Sequence, residues 1–229
     1  MVHLRKHFLF VSFIFCNPME KFSKFNDPSS GINPFLQPKP KSLTFKNYFI
    51  FMLYAPLYLL SFIFPSILPL IFTFKINNEK LNKVRVCICN SSSFLDKYVV
   101  RYVFGIKNCY YVRDGKFHEF KEEDSNEVQK IQKPCFLFPE GTRTNNRALL
   151  NFTVPTRIDS VCFIKYSEVY LYGSFFKYLV SIISNGLIIE IKTKETSEIQ
   201  TLSKLGNVPV VKFDYKDKYE FMNKLNLYC

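Results

Sequence analysis

One short stretch of the chain, 136-FLFPEGTRTNN-146, combines residue types that suit the binding of a phosphate ester. An apolar run ends at a Pro-Glu-Gly turn, and an acid, a hydroxyl and a base follow directly. The guanidinium of Arg143 can hold a phosphate through two parallel hydrogen bonds. Gly141 has no side chain, so the backbone can approach a ligand closely. Glu140 can orient Arg143 or hydrogen-bond a hydroxyl, and Thr142 completes this set of candidate substrate-binding residues.

A second polar loop follows an earlier apolar run, in 84-VRVCICNSSSFLDKYVV-100. In open α/β sheets, ligands bind beyond the carboxyl ends of the strands. Two such ends side by side would form one site, to which this loop would contribute Asn90 and Asp96. Either loop alone would be interpreted as an ordinary strand-to-helix turn. The hypothesis of a binding site therefore depends on both loops occurring together.

The block 138-FPEGTR-143 resembles, at every position, the phosphate-binding motif of the glycerophospholipid acyltransferases. The resemblance implies an α/β acyltransferase fold that transfers an acyl group from acyl-CoA or acyl carrier protein to a lysophospholipid. In that family the earlier loop reads Asn-His-x4-Asp. Its histidine is the general base that takes the proton of the acceptor hydroxyl, and its aspartate holds the imidazole ring.

This chain departs from the family pattern at the base, because Asn90 is followed by Ser91, with Asp96 at the acid position. A serine hydroxyl has no suitable pKa for general-base catalysis unaided. As a nucleophile it would need an adjacent base. We therefore assign Asp96, and Ser91 at the place of the missing histidine, as the candidate catalytic residues. The three histidines lie elsewhere, at His3, His7 and His118.

From Met19 onward, the sequence MEKFSKFNDPSSGINPFL is similar to the start of a yeast branch of this family, the lysophosphatidic acid acyltransferases that use oleoyl-CoA. These proteins also carry a small residue at the histidine position. The resemblance extends to Ile88-Cys89-Asn90 and Leu95-Asp96 and covers most of residues 19–229. It implies acyl-CoA as a co-substrate with no bound cofactor and no metal, and a location at the endoplasmic reticulum or lipid droplets.

Two functions remain open from these residues. The first is acyl transfer to lysophosphatidic acid or a related lysophospholipid. In this mechanism, water, Asp96 or the substrate phosphate removes the proton, and the close positioning of the two reactants supplies much of the rate. The second is a lipid-binding or scaffold protein built on an acyltransferase domain that has lost catalysis, which the serine at position 91 favours.

The elements that would position both loops predict an α/β fold with a mixed sheet flanked by helices, over residues 80–229. Short apolar runs suited to buried strands alternate with helical stretches, which is typical of α/β sheets. The predicted helices are Leu95–Tyr102 and the charged stretch 119–130. The predicted strands are Val84–Cys89, Cys135–Phe138, Val161–Ile164, Leu187–Ile191 and Val208–Phe213.

Residues 48–74 contain no charged side chain and predict a membrane segment. A straight helix of this length could span a bilayer with tilt. However, Pro56, Pro65 and Pro69 interrupt it, and interior prolines kink or break helices. Lysines flank the segment on both sides, so the positive-inside rule gives no orientation. A hairpin that returns to the same side, a single span and a buried core helix all remain open.

The N-terminal residues 1–47 predict a polar tail, and the stretch 19–47 has turn signals and no apolar pattern of a core. Residues 1–18 have either the basic and apolar parts of a secretory signal or, if translation starts at Met19, no role in the protein.

The net charge of +12 suggests an anionic partner. The apolar segment favours a phospholipid membrane over nucleic acid, for which the chain has no recognition motif. The seven cysteines match no disulfide or zinc pattern, which predicts a domain that faces the reducing cytosol.

Overall fold

The computed structural model describes residues 22–39, 41–78, 84–121 and 126–228. Within them, one mixed sheet of eight strands has the order β1-β8-β7-β2-β6-β3-β4-β5. The central strands β7, β2, β6 and β3 are mutually parallel neighbours, whereas β8 is antiparallel to β7, and β4 and β5 form an antiparallel edge. The strands are β1 (Thr73–Asn78), β2 (Val86–Cys89), β3 (Asn108–Arg113), β4 (Lys116–Glu119), β5 (Glu127–Val128), β6 (Cys135–Phe138), β7 (Ser160–Tyr166) and β8 (Ile188–Glu195).

Helices cover the sheet, so the predicted mixed sheet flanked by helices is confirmed. Two short 3-10 turns accompany them, at Ser23–Phe25 and Pro65–Ile67. The helices are α1 (Phe45–Ser61), α2 (Leu68–Ile71), α3 (Asp96–Phe104), α4 (Phe175–Asn185), α5 (Thr201–Gly206) and α6 (Tyr215–Tyr228).

Strand β2 is apolar at every position because both of its faces are buried. Cys87 and Cys89 face a core shared with α1, α3 and α4, whereas Val86 and Ile88 face a second core against α5. A parallel strand that is covered on both faces reads as a continuous apolar run rather than as an alternating one. The buried cysteines are free thiols that pack as small apolar side chains.

The prediction that residues 19–47 contribute nothing to a core was wrong for the part from Phe22 to Leu36. Phe22, Phe25 and Phe35 are buried against Phe221 of α6, in a third apolar cluster. Phe22 and Phe25 are three positions apart, but Phe35 follows only ten positions later, so the polar residues between them outweighed the apolar ones in the sequence pattern. Residues 1–21, with the signal-like stretch and Met19, lie outside the described part of the chain.

The apolar segment 48–74 is continuous with the rest of the fold. It begins in α1, passes through a 3-10 turn and α2, and its last two residues start β1, which pairs with β8. Pro56 lies inside α1 without ending it, since the helix continues to Ser61. Across the four described stretches, none of the helices combines the length and the apolar character that crossing a membrane requires.

Two predicted elements differ in the structure. Part of the predicted helix 119–130 belongs to a β-meander, because Asp114-Gly115 forms a tight turn with two positive φ angles after β3 and returns the chain as β4. Residues 122–125 lie outside the described residues. The predicted strand Val208–Phe213 forms an isolated parallel bridge between Val210 and Leu149 and is not a strand of the sheet. Pro209 within it has no N–H to donate to a ladder.

Candidate active site

The two polar loops meet at the carboxyl ends of β2 and β6, which are parallel neighbours. The backbone N–H of Ser91 donates to Glu140 Oε2 at 2.9 Å, and the N–H of Thr144 donates to the Ser91 carbonyl oxygen at 2.9 Å. The structure therefore brings the candidate residues of both loops into one place, as two strand ends of a parallel sheet require.

Asp96 is a buried carboxylate at the start of α3, with no exposed surface. Its Oδ2 accepts the backbone N–H groups of Ser92 and Ser93 at 3.0 and 3.2 Å. Its Oδ1 accepts the hydroxyl of Tyr166 at 2.7 Å. Burial raises the pKa of Asp96 to about 6 even though these donors favour the ionised form. A carboxylate with such a pKa can accept a proton near neutral pH.

Ser91 is the direct neighbour of this carboxylate. Its hydroxyl donates to Asp96 Oδ2 at 3.1 Å and lies 3.1 Å from the hydroxyl of Tyr111. Ser91 and Asp96 have no exposed surface, and Tyr111 is 1% exposed. A serine hydroxyl has one donor and two acceptor positions. One acceptor position therefore remains for a further donor when Tyr111 donates to Ser91.

Glu140 has a different role from the predicted contact with Arg143 or a substrate hydroxyl. Its two carboxylate oxygens accept the backbone N–H groups of Ser91 and Leu150, at 2.9 and 3.0 Å. The side chain is 2% exposed, and burial raises its pKa to about 8. Glu140 thus fastens the second loop to the first and to the segment that follows it.

Gly141 has a left-handed backbone with φ of +66°. A Cβ atom at this position would lie 2.9 Å from the Val112 carbonyl oxygen and 2.9 Å from Arg113 Cγ. Arg113 Nε also donates to the Gly141 carbonyl oxygen at 2.8 Å. The close backbone approach that the glycine permits is thus an approach to β3, whereas the sequence suggested an approach to a ligand.

Arg143 follows on the same loop and is half-buried. Its carbonyl oxygen accepts Lys218 Nζ from α6 at 2.7 Å. Its charge acts on the hydroxyl of Tyr178 from α4 and opposes the burial that raises the pKa of that hydroxyl; Ser93 acts in the same direction. Arg143 and Ser93 therefore both act on the buried Tyr178 hydroxyl. Thr142 is buried between Gly141 and Arg143.

Asn90 joins two strands and has no surface to offer a substrate. It is 1% exposed, its Oδ1 accepts the N–H of Ile164 at 2.7 Å, and its Nδ2 donates to the Ile164 carbonyl oxygen at 2.8 Å. The same Nδ2 lies 3.2 Å from Asn146 Oδ1. The predicted substrate-binding residue is therefore a clamp between the end of β2 and β7.

Sequence reasoning missed Tyr166, Tyr111 and Tyr178. Tyr166 was within reach, because it lies just beyond the predicted strand Val161–Ile164, at the carboxyl end of a neighbour of β2. Tyr111 lies on β3, which the sequence did not predict. His118 lies on β4 opposite Tyr111, in the antiparallel register of β3 and β4. His3 and His7 lie outside the described residues.

Comparisons with known proteins place these observations in context. No protein-family description matches the chain, and no curated protein matches it. Among solved structures, it is similar to the 1-acyl-sn-glycerophosphate (LPA) acyltransferase PlsC from Thermotoga maritima. The match covers 71% of this chain and 90% of that chain, with 15% sequence identity and a TM-score of 0.34. A TM-score and a sequence identity this low support no conclusion about function. A function therefore has to be argued from the site residues.

Proposed function

We propose that this chain is a membrane-associated acyltransferase that moves a fatty acyl group from acyl-CoA to the free hydroxyl of lysophosphatidic acid or a related lysophospholipid. The observation that carries the proposal is the hydrogen bond of 3.1 Å between Ser91 Oγ and Asp96 Oδ2. It lies where two strand ends meet, beside the loop whose sequence resembles a phosphate-binding motif.

In this mechanism Ser91 and Asp96 replace the family's histidine as a proton relay. The acceptor hydroxyl attacks the thioester carbonyl carbon and gives its proton to Ser91 Oγ, while the Ser91 proton passes to Asp96. The new ester C–O bond forms, the thioester C–S bond breaks, and Asp96 returns the proton to the CoA thiolate. Because burial raises the pKa of Asp96 to about 6, it accepts a proton more readily than an exposed aspartate.

Arg143 binds the substrate phosphate in this proposal. A guanidinium can form two parallel hydrogen bonds to phosphate oxygens. The Arg143 charge also acts on the Tyr178 hydroxyl, so in this proposal the phosphate lies beside both groups. A phosphate held here places the rest of a small lysophospholipid beside Ser91, which immediately precedes Ser92 and Ser93.

We also propose that α1 and the turn after it attach the protein to a phospholipid membrane. Large apolar side chains are exposed along this segment, which is unusual for a surface that meets only water. We assign this membrane to the endoplasmic reticulum or to lipid droplets, with the domain in the cytosol. This location fits the free thiols and the resemblance of the sequence to yeast acyltransferases. The exposed residues include Phe45, Phe49, Met52, Leu53, Leu59, Ile63, Phe64 and Leu70.

A second candidate function is lipid binding without catalysis. It is favoured by the complete burial of Ser91 and Asp96, which have no surface exposed to solvent. In that function Arg143 still holds a phosphorylated lipid, but no acyl group is transferred. The notion of a decayed acyltransferase that serves as a scaffold belongs to this candidate.

One experiment separates the two candidates. The purified protein in detergent is given radiolabelled oleoyl-CoA and lysophosphatidic acid, and the labelled product is measured for wild type, Ser91→Ala, Ser91→His and Arg143→Ala. Loss of the relay should lower the rate at least about 100-fold, and loss of the guanidinium roughly 10- to 100-fold. Arg157→Ala, which removes a guanidinium from an exposed loop position, should have no effect.

The outcomes differ for each hypothesis. Product from wild type that persists in Ser91→Ala would show that the relay is wrong. Product that appears only in Ser91→His would identify a binding protein whose site has lost its base. Absence of product from all variants, with lysophosphatidic acid still bound by wild type and not by Arg143→Ala, would establish the second candidate.

A further inference from the structure

A groove separate from the strand-end site lies between the N-terminal tail and the loop that follows Thr144. It has a volume of about 730 Å³, within the range of about 300–1,000 Å³ that is common for small-molecule sites. Its lining includes the apolar side chains of Ile32 and Leu36 from the tail and the cationic side chains of Arg147 and Lys165. The groove exists because the tail packs onto the domain, which the sequence did not predict.

The charge of the groove has one sign. Arg147 and Lys165 are both exposed. Among the described residues that line the groove, none is acidic. Two cations among the lining residues with no carboxylate beside them make a surface that favours an anion.

Asn146 supplies an unused hydrogen-bond donor at the same place. It lines the groove, is 9% exposed and has a positive φ of +64°. Its Oδ1 accepts Asn90 Nδ2 at 3.2 Å, whereas its own Nδ2 is buried and has no hydrogen-bond partner. Buried polar groups in proteins nearly always have a partner. A donor without one, on the wall of a groove with two cations, fits an acceptor that arrives with a ligand.

We infer that this groove binds the phosphate group of a small phosphorylated molecule, through Arg147, Lys165 and the Asn146 amide. The apolar side chains of Ile32 and Leu36 hold the body of that molecule. The site differs from the phosphate position proposed at Arg143. Tyr166 also lines the groove and donates its hydroxyl to Asp96, so one tyrosine contacts both sites.

The test uses the full chain in detergent and radiolabelled pyrophosphate in equilibrium dialysis. We expect saturable binding that Lys165→Ala and Arg147→Ala each weaken at least about fivefold, as the loss of a charge-assisted hydrogen bond would. Asn146→Gly should also weaken it, because glycine keeps the left-handed backbone and removes the donor. Circular dichroism checks that each variant is folded.

Lys133→Ala is the matched control, because it removes the same charge from an exposed position in another cleft. Equal weakening by Lys133→Ala would mean unspecific attraction and would overturn the inference. So would the absence of saturable binding, or binding that Arg143→Ala abolishes while Lys165→Ala leaves it intact. The last result would place the anion in the strand-end site alone.

A second arm identifies the source of the phosphate. For this arm the detergent is removed, and vesicles of phosphatidylcholine with and without phosphatidic acid are compared for competition with pyrophosphate. Competition by phosphatidic acid that is lost in Lys165→Ala supports the inference with a lipid headgroup as ligand. Binding of pyrophosphate without competition from vesicles supports it with a soluble phosphorylated molecule as ligand.

Discussion

Asp96 and Glu140 hold the site together as buried carboxyl groups, and both bind backbone N–H groups of the loop that begins at Asn90. Their pKa values, about 6 and about 8, lie above the ordinary values because burial penalises the charged form. The sequence identified both residues by type and spacing. It could not assign their partners, since Tyr166 and Leu150 reach them only through the packing of β7 and of the segment after the second loop.

The raised pKa of Glu140 predicts how stability depends on pH. Between its ordinary value of 4.5 and about 8, the folded protein keeps a proton that the unfolded chain releases. This contribution to the free energy of unfolding is complete below pH 4.5 and is lost as the pH rises through about 8. Urea denaturation should therefore show lower stability at about pH 8.5 than at about pH 5.

Glu140→Gln tests this assignment, because glutamine does not ionise. The pH-dependent loss of stability should be smaller in the variant than in wild type. The variant should also cost about 1–3 kcal/mol at low pH, since its Nε2 cannot accept one of the two buried N–H groups. An unchanged pH dependence would assign the effect to other groups.

Asp96 predicts the pH profile of acyl transfer if the proposed relay operates. Only the ionised carboxylate can take the proton from Ser91, so the rate should rise with pH through about 6 and then level off. The measurement is the initial rate with oleoyl-CoA and lysophosphatidic acid across this range, with circular dichroism to confirm that the protein stays folded. A flat profile from an active enzyme would contradict the relay.

At the scale of elements, the loop that contains Gly141 can pack closely against β3 because this residue has no side chain. Gly141→Ala would place a Cβ 2.9 Å from a backbone oxygen in a left-handed conformation. We expect a loss of at least about 2 kcal/mol in the free energy of unfolding, from the backbone conformation and the clash together. Chemical denaturation measures it.

Gly115→Ala is the matched control for this prediction. Gly115 has φ of +72° in the turn between β3 and β4, and no atom lies within 4 Å of a Cβ added there. The free energy of unfolding of Gly115→Ala should therefore fall by about 1–2 kcal/mol, from the left-handed backbone conformation alone. Equal losses in the two variants would mean that the contact with β3 contributes nothing.

The sequence predicted helices and strands well where a single short apolar run corresponds to a single buried strand. The strand Cys135–Phe138 matches β6 at both ends, and Leu95–Tyr102 lies over α3 with a shift of one or two residues. The meander was missed because charged residues such as Glu119 and Glu127 lie on an edge of the sheet, where a solvated strand and a solvated helix have similar compositions. The Asp114-Gly115 turn was the signal that could have distinguished them.

For the whole molecule, the exposed face of α1 predicts membrane binding. Phe49 and Leu53 lie four positions apart, and are about three-fifths exposed at 60% and 61%. The opposite side packs on α4 through Phe51 and Phe176. Phe49→Ser with Leu53→Ser should lower flotation with phospholipid vesicles at least about tenfold, because each apolar side chain contributes about 1.5–3 kcal/mol when buried.

Val210→Ser with Ile199→Ser serves as the control for this prediction, since both side chains are exposed outside α1. It should leave vesicle binding unchanged. Equal loss from both double variants would show that the protein binds lipid through no particular face.

The packing of the N-terminal tail on α6 affects the order in which folding and membrane contact can occur during translation. Lys24 and Glu220 are 196 positions apart and form an ion pair, and Phe25 packs on Phe221 beside them. Along the chain the tail precedes α1 and its partners on α6 follow α1, so the tail leaves the ribosome well before those partners. Helix α1 emerges in the interval, so any meeting of α1 with a lipid surface can precede the closing of the domain. The nascent chain would then assemble the two loops of the candidate site while it is already attached.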